Sequence, residues 1–151
     1  MPDIVDPETR SRMMSGIRGK DTRPELLIRR ALHARGFRYR LHAGSLPGKP
    51  DLVLRRYRAT IFVNGCFWHG HNCHLFKFPS TRKDFWEAKI KRNRARDLKV
   101  LSELREQGWR QLVIWECALK GRTRLEFDEV IAGIDEWLRG NKPTGAIEGA
   151  A

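Results

Sequence analysis

The sequence has few cysteines and no long apolar run. Only three cysteines occur among 151 residues, and an odd number of thiols argues against a disulfide framework and favours metal ligation or buried thiols. No apolar stretch approaches the roughly 20 residues that are needed to cross a bilayer. The charged residues 1–14 also lack the apolar core of a signal peptide. We therefore expect a cytoplasmic protein with no membrane partner.

Acidic residues are also scarce relative to basic ones. The 18 Asp and Glu residues are outnumbered by 30 Lys and Arg residues, which gives a net charge of +12 at pH 7. Such a charge attracts polyanions over a distance, and the basic residues are spread along the chain. Nucleic acid is the favoured partner, although ribosomal proteins and membrane-surface binders share this charge balance.

The length and the order of predicted elements indicate one α/β domain. A chain of 151 residues can bury one core. The pattern predicts helices at 21–36, 81–107 and 126–140, and strands at 37–42, 51–54, 59–63 and 110–116. This order fits a mixed sheet flanked by helices. We expect a single domain over residues 1–140, beginning with a separate segment 1–20, and a disordered tail over residues 141–151.

Metal-binding side chains are concentrated in "NGCFWHGHNCH", residues 64–74. The candidates in this segment are Cys66, His69, His71, Cys73 and His74. Thiolate and imidazole are the ligands that a tetrahedral zinc site prefers, and Cys117, at the end of "QLVIWEC", can supply a fourth ligand. The spacing does not fix which histidine binds. Ordinary buried cysteines near surface histidines are the alternative.

One acidic residue of the long predicted helix lies on its apolar face. The residues that share this face at helical spacing are Trp86, Ile90, Asn93, Asp97, Leu101 and Leu104. A carboxylate among apolar residues must be paired. Asp97 therefore forms either a structural salt bridge or hydrogen bond, or holds a histidine or cation of a functional site.

Asp51 opens a predicted strand directly after a proline, in "GKPDLVL". A carboxylate at this place can project from a sheet edge towards a divalent cation, although Pro-Asp is also a frequent turn pair. "PD" followed by two strands is the first half of the motif of restriction-type nucleases, whose second strand normally supplies an acidic residue and a lysine. The second strand here, "ATIFVNG", has neither. If the fold is of this type, the base comes from elsewhere, and His69 is the candidate.

Four motifs together resemble one family. In this order and spacing, "GKPDLVL", "IFVNGCFWHGHNC", "NRARD" and "VIWECAL" resemble the very short patch repair endonucleases, bacterial enzymes that act on T:G mismatches left by deamination of 5-methylcytosine. The resemblance extends from about residue 7 to 138. It implies a restriction-endonuclease-like mixed β-sheet flanked by helices, with a structural zinc site. The implied activity is nicking of one strand 5′ to the mispaired thymine by Mg²⁺-dependent phosphodiester hydrolysis.

The resemblance also implies the residues of the reaction. Asp51 and the backbone carbonyl of Val63 resemble ligands of Mg²⁺ in a site for two ions. His69 resembles the general base, and Asp97 resembles its orienting partner. The ligands of the structural zinc ion are implied to be Cys66, His71, Cys73 and Cys117.

Six residues resemble the DNA contacts of that family: Met14, Phe67, Trp68, Trp86, Lys89 and Asn93. The three aromatic side chains resemble a wedge that enters the duplex beside the mismatch. The methionine, in a DNA-contacting segment 1–20, resembles a residue that inserts from the other groove, and the last two resemble residues that hydrogen-bond the wobble pair. Core packing is the alternative for the aromatic residues, and it is favoured for Trp109 and Trp115.

Glu25 has a second possible role, and Asn64 departs from the family pattern. Glu25 corresponds to an acidic residue near metal-bound water, but it also completes a capping box with Thr22 at the start of the first predicted helix. The family pattern has a histidine where this chain has Asn64. An amide can hydrogen-bond water but cannot take its proton, so we expect altered hydration of the metal site.

The expected partner is double-stranded DNA with a T:G mismatch, bound by a monomer, with mismatch-repair proteins as further partners. Three other functions are compatible with the sequence. The chain could be a nuclease of the same fold with broader or different mismatch specificity. It could be a non-catalytic, zinc-braced DNA-binding module, or a His-metal finger nuclease that uses the histidine cluster for its catalytic metal.

Overall fold

A computed structural model describes residues 23–150 as a five-stranded mixed sheet with helices. The helices are α1 (Arg23–Ala34), α2 (Lys83–Glu106), α3 (Glu116–Leu119) and α4 (Phe127–Arg139), and the strands are β1 (Arg40–Leu41), β2 (Leu52–Leu54), β3 (Ala59–Asn64), β4 (Arg110–Trp115) and β5 (Thr144–Ile147). A 3-10 turn over Arg55–Tyr57 joins β2 to β3. The prediction of a mixed α/β fold is confirmed. Over the described range, no helix is long and apolar enough to cross a membrane.

The strand pairing determines which loops meet. The order in the sheet is β1-β2-β3-β4-β5, with antiparallel pairs up to β3 and parallel pairs beyond it. A parallel pair needs a crossover connection, and α2 lies in the connection from β3 to β4. Asn64 is paired with Trp115 at the last position of both strands. The loop after β3 and the turn after β4 therefore leave the sheet at the same edge.

The hydrophobic core lies on one face of the sheet, against α1 and α4. Alternating residues of the strands point to this face, and the main members of the core are Ile28, Leu32, Leu52, Leu54, Ile61, Leu112, Ile114, Ile131, Ile134 and Leu138. Phe62 and Val113 lie at the alternate strand positions and line a cleft that also borders α2. The site described below occupies this cleft, because the opposite face of the sheet is filled by the core.

A strand follows α4, and the prediction of a disordered tail is wrong for residues 144–147. The strand β5 pairs with β4 from Gln111 opposite Thr144 onwards. Trp137 Nε1 donates a hydrogen bond to the Thr144 carbonyl (3.1 Å), and a Cβ at Gly145 would lie 2.5 Å from the same indole nitrogen. The segment has no apolar pattern because backbone hydrogen bonds to the edge of β4, rather than side-chain burial, hold most of it in place.

The strand predicted over residues 37–42 is shorter than expected. Only Arg40–Leu41 pairs with β2, because His42 adopts a left-handed conformation with φ of 47° and turns the chain out of the strand. The other predicted elements agree with the structure more closely. The long helix, predicted over 81–107, spans residues 83–106.

Candidate active site and metal centres

Two hydrogen bonds to strand β3 hold Asp51, which directly precedes β2, against the sheet. Its backbone N–H donates to the Ile61 carbonyl (3.0 Å), and its side-chain Oδ2 accepts a hydrogen bond from the Val63 N–H (2.7 Å). Two bonds to one strand fix both the position and the direction of the carboxylate. The side chain therefore points into the cleft from the sheet, as the sequence motif predicts.

Two further side chains complete a possible cation site around Asp51. Glu25, in the first turn of α1, is 2% exposed, and its Oε2 lies 3.1 Å from an Arg29 guanidinium nitrogen and 2.7 Å from His42 Nε2. Glu25, His42 and Asp51 each offer a ligand atom within 4.8 Å of the others. The sequence alone does not single out His42, because only the pairing of β1 with β2 brings it beside Asp51.

The environment of Asp51 strongly disfavours a bare carboxylate. Burial and, to a smaller extent, the nearby Glu25 carboxyl raise the pKa of Asp51 to about 7, against the opposing effects of the Val63 hydrogen bond and of His69. A proton or a cation beside the two carboxyl groups would relieve this unfavourable environment. Two carboxylates and one imidazole can satisfy a divalent cation, so the residues present fit such an ion.

His69 and Asp97 form a hydrogen-bonded pair on the other side of the same cleft. His69 Nδ1 lies 2.7 Å from Asp97 Oδ2, and both residues line the cleft with Asp51. The Asp97 side chain is 39% exposed, so it faces the cleft rather than the packed interior. The Nδ1 contact leaves Nε2 as the second functional atom of the His69 ring.

The four predicted zinc ligands come together at the edge of the sheet where β3 and β4 end. Cys66, His71, Cys73 and Cys117 each offer a ligand atom within 4.8 Å of the others. Cys66 and Cys117 are buried, and none of the three cysteines of the described range forms a disulfide. The pairing of β3 with β4 explains how residues 51 positions apart meet, since both cysteines follow the ends of neighbouring parallel strands.

The three histidines of the loop have different surroundings. His71 Nδ1 lies 3.7 Å from Cys117 Sγ. His69 is paired with Asp97, whereas His74 Nδ1 lies 3.4 Å from the Thr123 hydroxyl. Only His71 among the three belongs to the cysteine group, so the structure favours His71 over His69 and His74 as its fourth ligand.

The thiols of this group are suited to a cation. Burial raises the pKa of Cys66 and of Cys117, so neither thiol ionises easily without a positive charge beside it. Burial also acts on Cys73, but hydrogen bonds from His71 and the Leu75 backbone outweigh it and lower the pKa of Cys73. Three sulfur ligands and one imidazole form a donor set that a closed structural zinc site uses, and the residues present fit such an ion.

The residues that follow β5 contact this group from outside. Glu148 Oε2 lies 2.7 Å from His71 Nε2, and the Gly149 N–H donates to Cys117 Sγ (3.3 Å). The Trp115 ring stacks on the His71 ring with centroids 4.1 Å apart. The imidazole is thus fixed with Nε2 towards the carboxylate and Nδ1 towards the thiols. The chain beyond β5, which the sequence predicts to be disordered, is part of the metal-binding group's surroundings.

We expect Glu148→Gln to weaken zinc binding about 10- to 100-fold, which is the usual effect of removing the carboxylate that orients a ligand histidine. Competition with a chromophoric chelator measures the zinc affinity. Glu106→Gln, at the exposed end of α2, is the matched control and should bind zinc as the unchanged chain does. Equal zinc affinity in the two variants would show that Glu148 does not orient His71 for zinc binding.

The aromatic residues predicted to enter DNA form one surface cluster. Phe67, Trp68 and Trp86 contact one another at ring-centroid distances of 5.1, 5.4 and 5.9 Å, and all three are only partly buried. Lys89 Nζ lies 5.8 Å from the centre of the Trp68 ring, and Asn93 Nδ2 donates to the Trp68 carbonyl (2.9 Å). The helix α2 therefore holds the loop that carries the cluster.

The remaining predicted residues have simpler positions. Val63 and Asn64 line the cleft, and Trp109 lies under the Arg58 guanidinium at 4.3 Å. Met14 and Thr22 lie outside the described residues, so the DNA contact and the capping box that involve them stay predictions.

The cleft has a volume of about 1380 Å³ and is bordered by both the Asp51 group and the His69 pair. The two groups therefore face the same space.

The chain is similar in sequence to known DNA mismatch endonucleases and nicking enzymes. The sequence profile of the family described as DNA mismatch endonuclease Vsr matches residues 2–75. The chain is 43% identical over 148 residues to DNA mismatch endonuclease Vsr of Escherichia coli, covering 98% of this chain and 95% of that protein. It is 46% identical over 126 residues to the type II nicking enzyme V.XorIIP of Xanthomonas oryzae, covering 83% and 93%. It is 43% identical over 122 residues to the type II nicking enzyme V.NmeAIP of Neisseria meningitidis, covering 81% and 87%.

Proposed function

The chain belongs to the DNA mismatch endonuclease Vsr family, and from this premise we propose that it nicks one strand of duplex DNA 5′ to the thymine of a T:G mismatch. The observation that carries the proposal is the position of the His69–Asp97 pair and the Asp51 carboxylate on one cleft. The products are a 3′-hydroxyl and a 5′-phosphate. We assign the fold to the restriction-endonuclease-like class, on the basis of the mixed sheet and of Asp51 at the start of β2.

Asp51 and the Val63 carbonyl are assigned to Mg²⁺, as part of a site for two ions. When bound there, Mg²⁺ would stabilise negative charge on the scissile phosphate and the departing oxygen. The Val63 N–H holds one carboxylate oxygen of Asp51, so the other oxygen would be available to the cation. Glu25 is assigned to hold a water molecule that would be bound to the cation, since its buried carboxylate lies beside Asp51.

His69 is assigned as the general base. Imidazole accepts a proton readily near neutral pH, and the Asp97 contact at Nδ1 leaves Nε2 to take the proton of the attacking water. Asp97 fixes the tautomer and the orientation of the ring, and it stabilises the imidazolium that forms.

The aromatic cluster is assigned to mismatch recognition. Opening a base stack costs a few kcal/mol, and the cost is least where pairing is already weak. A T:G wobble pair is such a place, and each base that stacks on an aromatic ring recovers roughly 1 to 3 kcal/mol. Phe67, Trp68 and Trp86 provide these rings, with Met14 entering from the other groove. Lys89 and Asn93, on α2 beside the cluster, are assigned to the wobble pair.

The cysteine group is assigned to a structural zinc ion. The ligands are Cys66, His71, Cys73 and Cys117. This group ties the start of the loop that carries the aromatic cluster and His69 to the end of β4. A rigid loop holds the base and the wedge in a fixed relation, which strand cleavage at one defined bond requires.

The decisive experiment measures nicking of matched T:G and T:A duplexes. We expect a single nick 5′ to the mispaired thymine in the T:G duplex only, and we expect Asp97→Asn to lower kcat by about 10²- to 10⁴-fold, because the base loses its orienting partner. Asp84→Asn, on the exposed first turn of α2, is the matched control.

Two outcomes would contradict separate parts of the proposal. Equal nicking of every mismatch would keep the nuclease and remove its T:G specificity. DNA binding without nicking by the unchanged chain, with Mg²⁺ present, would favour the non-catalytic DNA-binding module.

A further inference from the structure

His42 occupies a fixed position beside the proposed catalytic carboxylates. The pairing of Leu41 with Leu52 places His42 next to Asp51 across the β1–β2 pair, and the His42 N–H donates to the Asp51 carbonyl (3.1 Å). The two residues are therefore tied by their backbones before their side chains are considered. His42 borders the same cleft as His69 and Asp97.

The backbone of His42 lies in the left-handed region, with φ of 47°. This region is uncommon for residues with a Cβ, although histidine enters it more often than most of them. His42 therefore ends β1 in a turn that lies beside the cleft.

The side chain of His42 reaches the carboxylate group itself. Its Nε2 lies 2.7 Å from Glu25 Oε2, and each of the three residues Glu25, His42 and Asp51 has a ligand atom within 4.8 Å of the others. Ligand atoms of one cation lie some 3 to 4 Å apart when each is about 2.1 Å from the ion, so a small shift of the His42 ring away from its Glu25 contact would let these atoms share a cation.

We propose that His42 is a direct ligand of the divalent cation assigned to Asp51 and the Val63 carbonyl, so that the site has one nitrogen donor beside its oxygen donors. This inference rests on the proposed nuclease function and deepens it. Carboxylate and water ligands suit Mg²⁺, whereas an imidazole ligand favours the later transition metals. The site therefore binds Mn²⁺ and Co²⁺ more tightly than Mg²⁺, by a margin that depends on His42.

The test compares metal binding by the unchanged chain and by His42→Asn. Asparagine removes the imidazole and tolerates the left-handed backbone, so loss of folding does not confound the result. We expect at least tenfold weaker Mn²⁺ binding, measured from the electron paramagnetic resonance signal of free Mn²⁺, and a change of no more than about threefold in Mg²⁺ binding, measured by competition. The nitrogen hyperfine coupling of bound Mn²⁺ should also disappear. His33→Asn, at the exposed end of α1, is the matched control.

Other outcomes would overturn the inference. Absence of Mn²⁺ binding in the unchanged chain, or unchanged Mn²⁺ affinity and nitrogen coupling in His42→Asn, would make His42 a structural partner of Glu25 only. Nicking of the T:G duplex by the unchanged chain in Mg²⁺, assayed in parallel, tests the proposed function separately. If nicking is present while the Mn²⁺ result fails, only the role of His42 is wrong.

Discussion

We expect Asp51→Asn to abolish nicking of a T:G duplex and, at the same time, to raise the melting temperature of the protein at pH 8 in buffer without added Mg²⁺. Asparagine keeps the shape of the side chain but loses the negative charge that a cation needs. The same charge is unfavourable in the absence of a cation, because Asp51 is buried beside the Glu25 carboxyl.

The stability change has a defined dependence on pH. Burial and the neighbouring carboxyl raise the pKa of Asp51 from 3.8 to about 7, so between these values the folded state holds a proton that the unfolded state has released. The free energy of unfolding therefore falls as the pH rises from about 4 to about 7, and the penalty is complete above pH 7. At roughly 1.4 kcal/mol for each pKa unit, Asp51→Asn should stabilise the fold by about 2 to 4 kcal/mol at pH 8 and by very little at pH 4.

Thermal melts at pH 4 and pH 8 check this prediction, with nicking measured in Mg²⁺. Asp135→Asn is the control with the opposite sign. Burial of Asp135 is outweighed there by hydrogen bonds from Arg139 and Arg35, which lower the pKa of Asp135. That variant should be less stable than the unchanged chain at neutral pH, and the difference should shrink in acid. Equal destabilisation by Asp51→Asn at both pH values, or nicking that survives it, would refute the assignment of Asp51.

The second large effect is expected for Cys117→Ser. This change should release the zinc ion and lower the stability of the fold by about 3 to 5 kcal/mol, which corresponds to a fall of about 6 to 20 °C in melting temperature for a chain of this size. Cys117 is buried, and its thiol accepts a hydrogen bond from the Gly149 N–H. Its loss therefore affects the loop after β3, the end of β4 and the chain after β5 together.

Elemental analysis and calorimetry measure the two parts of this result. The unchanged chain treated with a zinc chelator should melt close to Cys117→Ser, because both lack the ion and share the rest of the structure. Retention of one zinc ion by Cys117→Ser, with an unchanged melting temperature, would show that Cys117 is not a ligand. A chelator that removes zinc without lowering the melting temperature would show that the ion does not brace the fold.

Much of the fold follows from local patterns in the sequence. Apolar runs mark β2, β3 and β4, and the helical spacing of Trp86, Asn93 and Asp97 places them on one side of α2. The unusual position of Asp97 predicts a polar partner, and the structure supplies His69. The chain after α4 shows the limit of such patterns. It has little apolar periodicity, yet backbone pairing with β4 makes it a strand.

The sequence by itself determined the chemistry available to this protein: a basic chain, a loop rich in thiols and imidazoles, a carboxylate at the start of a strand and another on a helix face. Only the tertiary structure decided how these groups are shared. Parallel pairing of β3 with β4 brings Cys117 to Cys66, and antiparallel pairing of β1 with β2 brings His42 to Asp51. Spacing along a chain constrains only near neighbours, whereas strand register decides which distant side chains meet. For this reason only the folded sheet shows which histidine lies beside the cysteines. It also shows that His42 lies beside Asp51 and that Glu148 contacts His71.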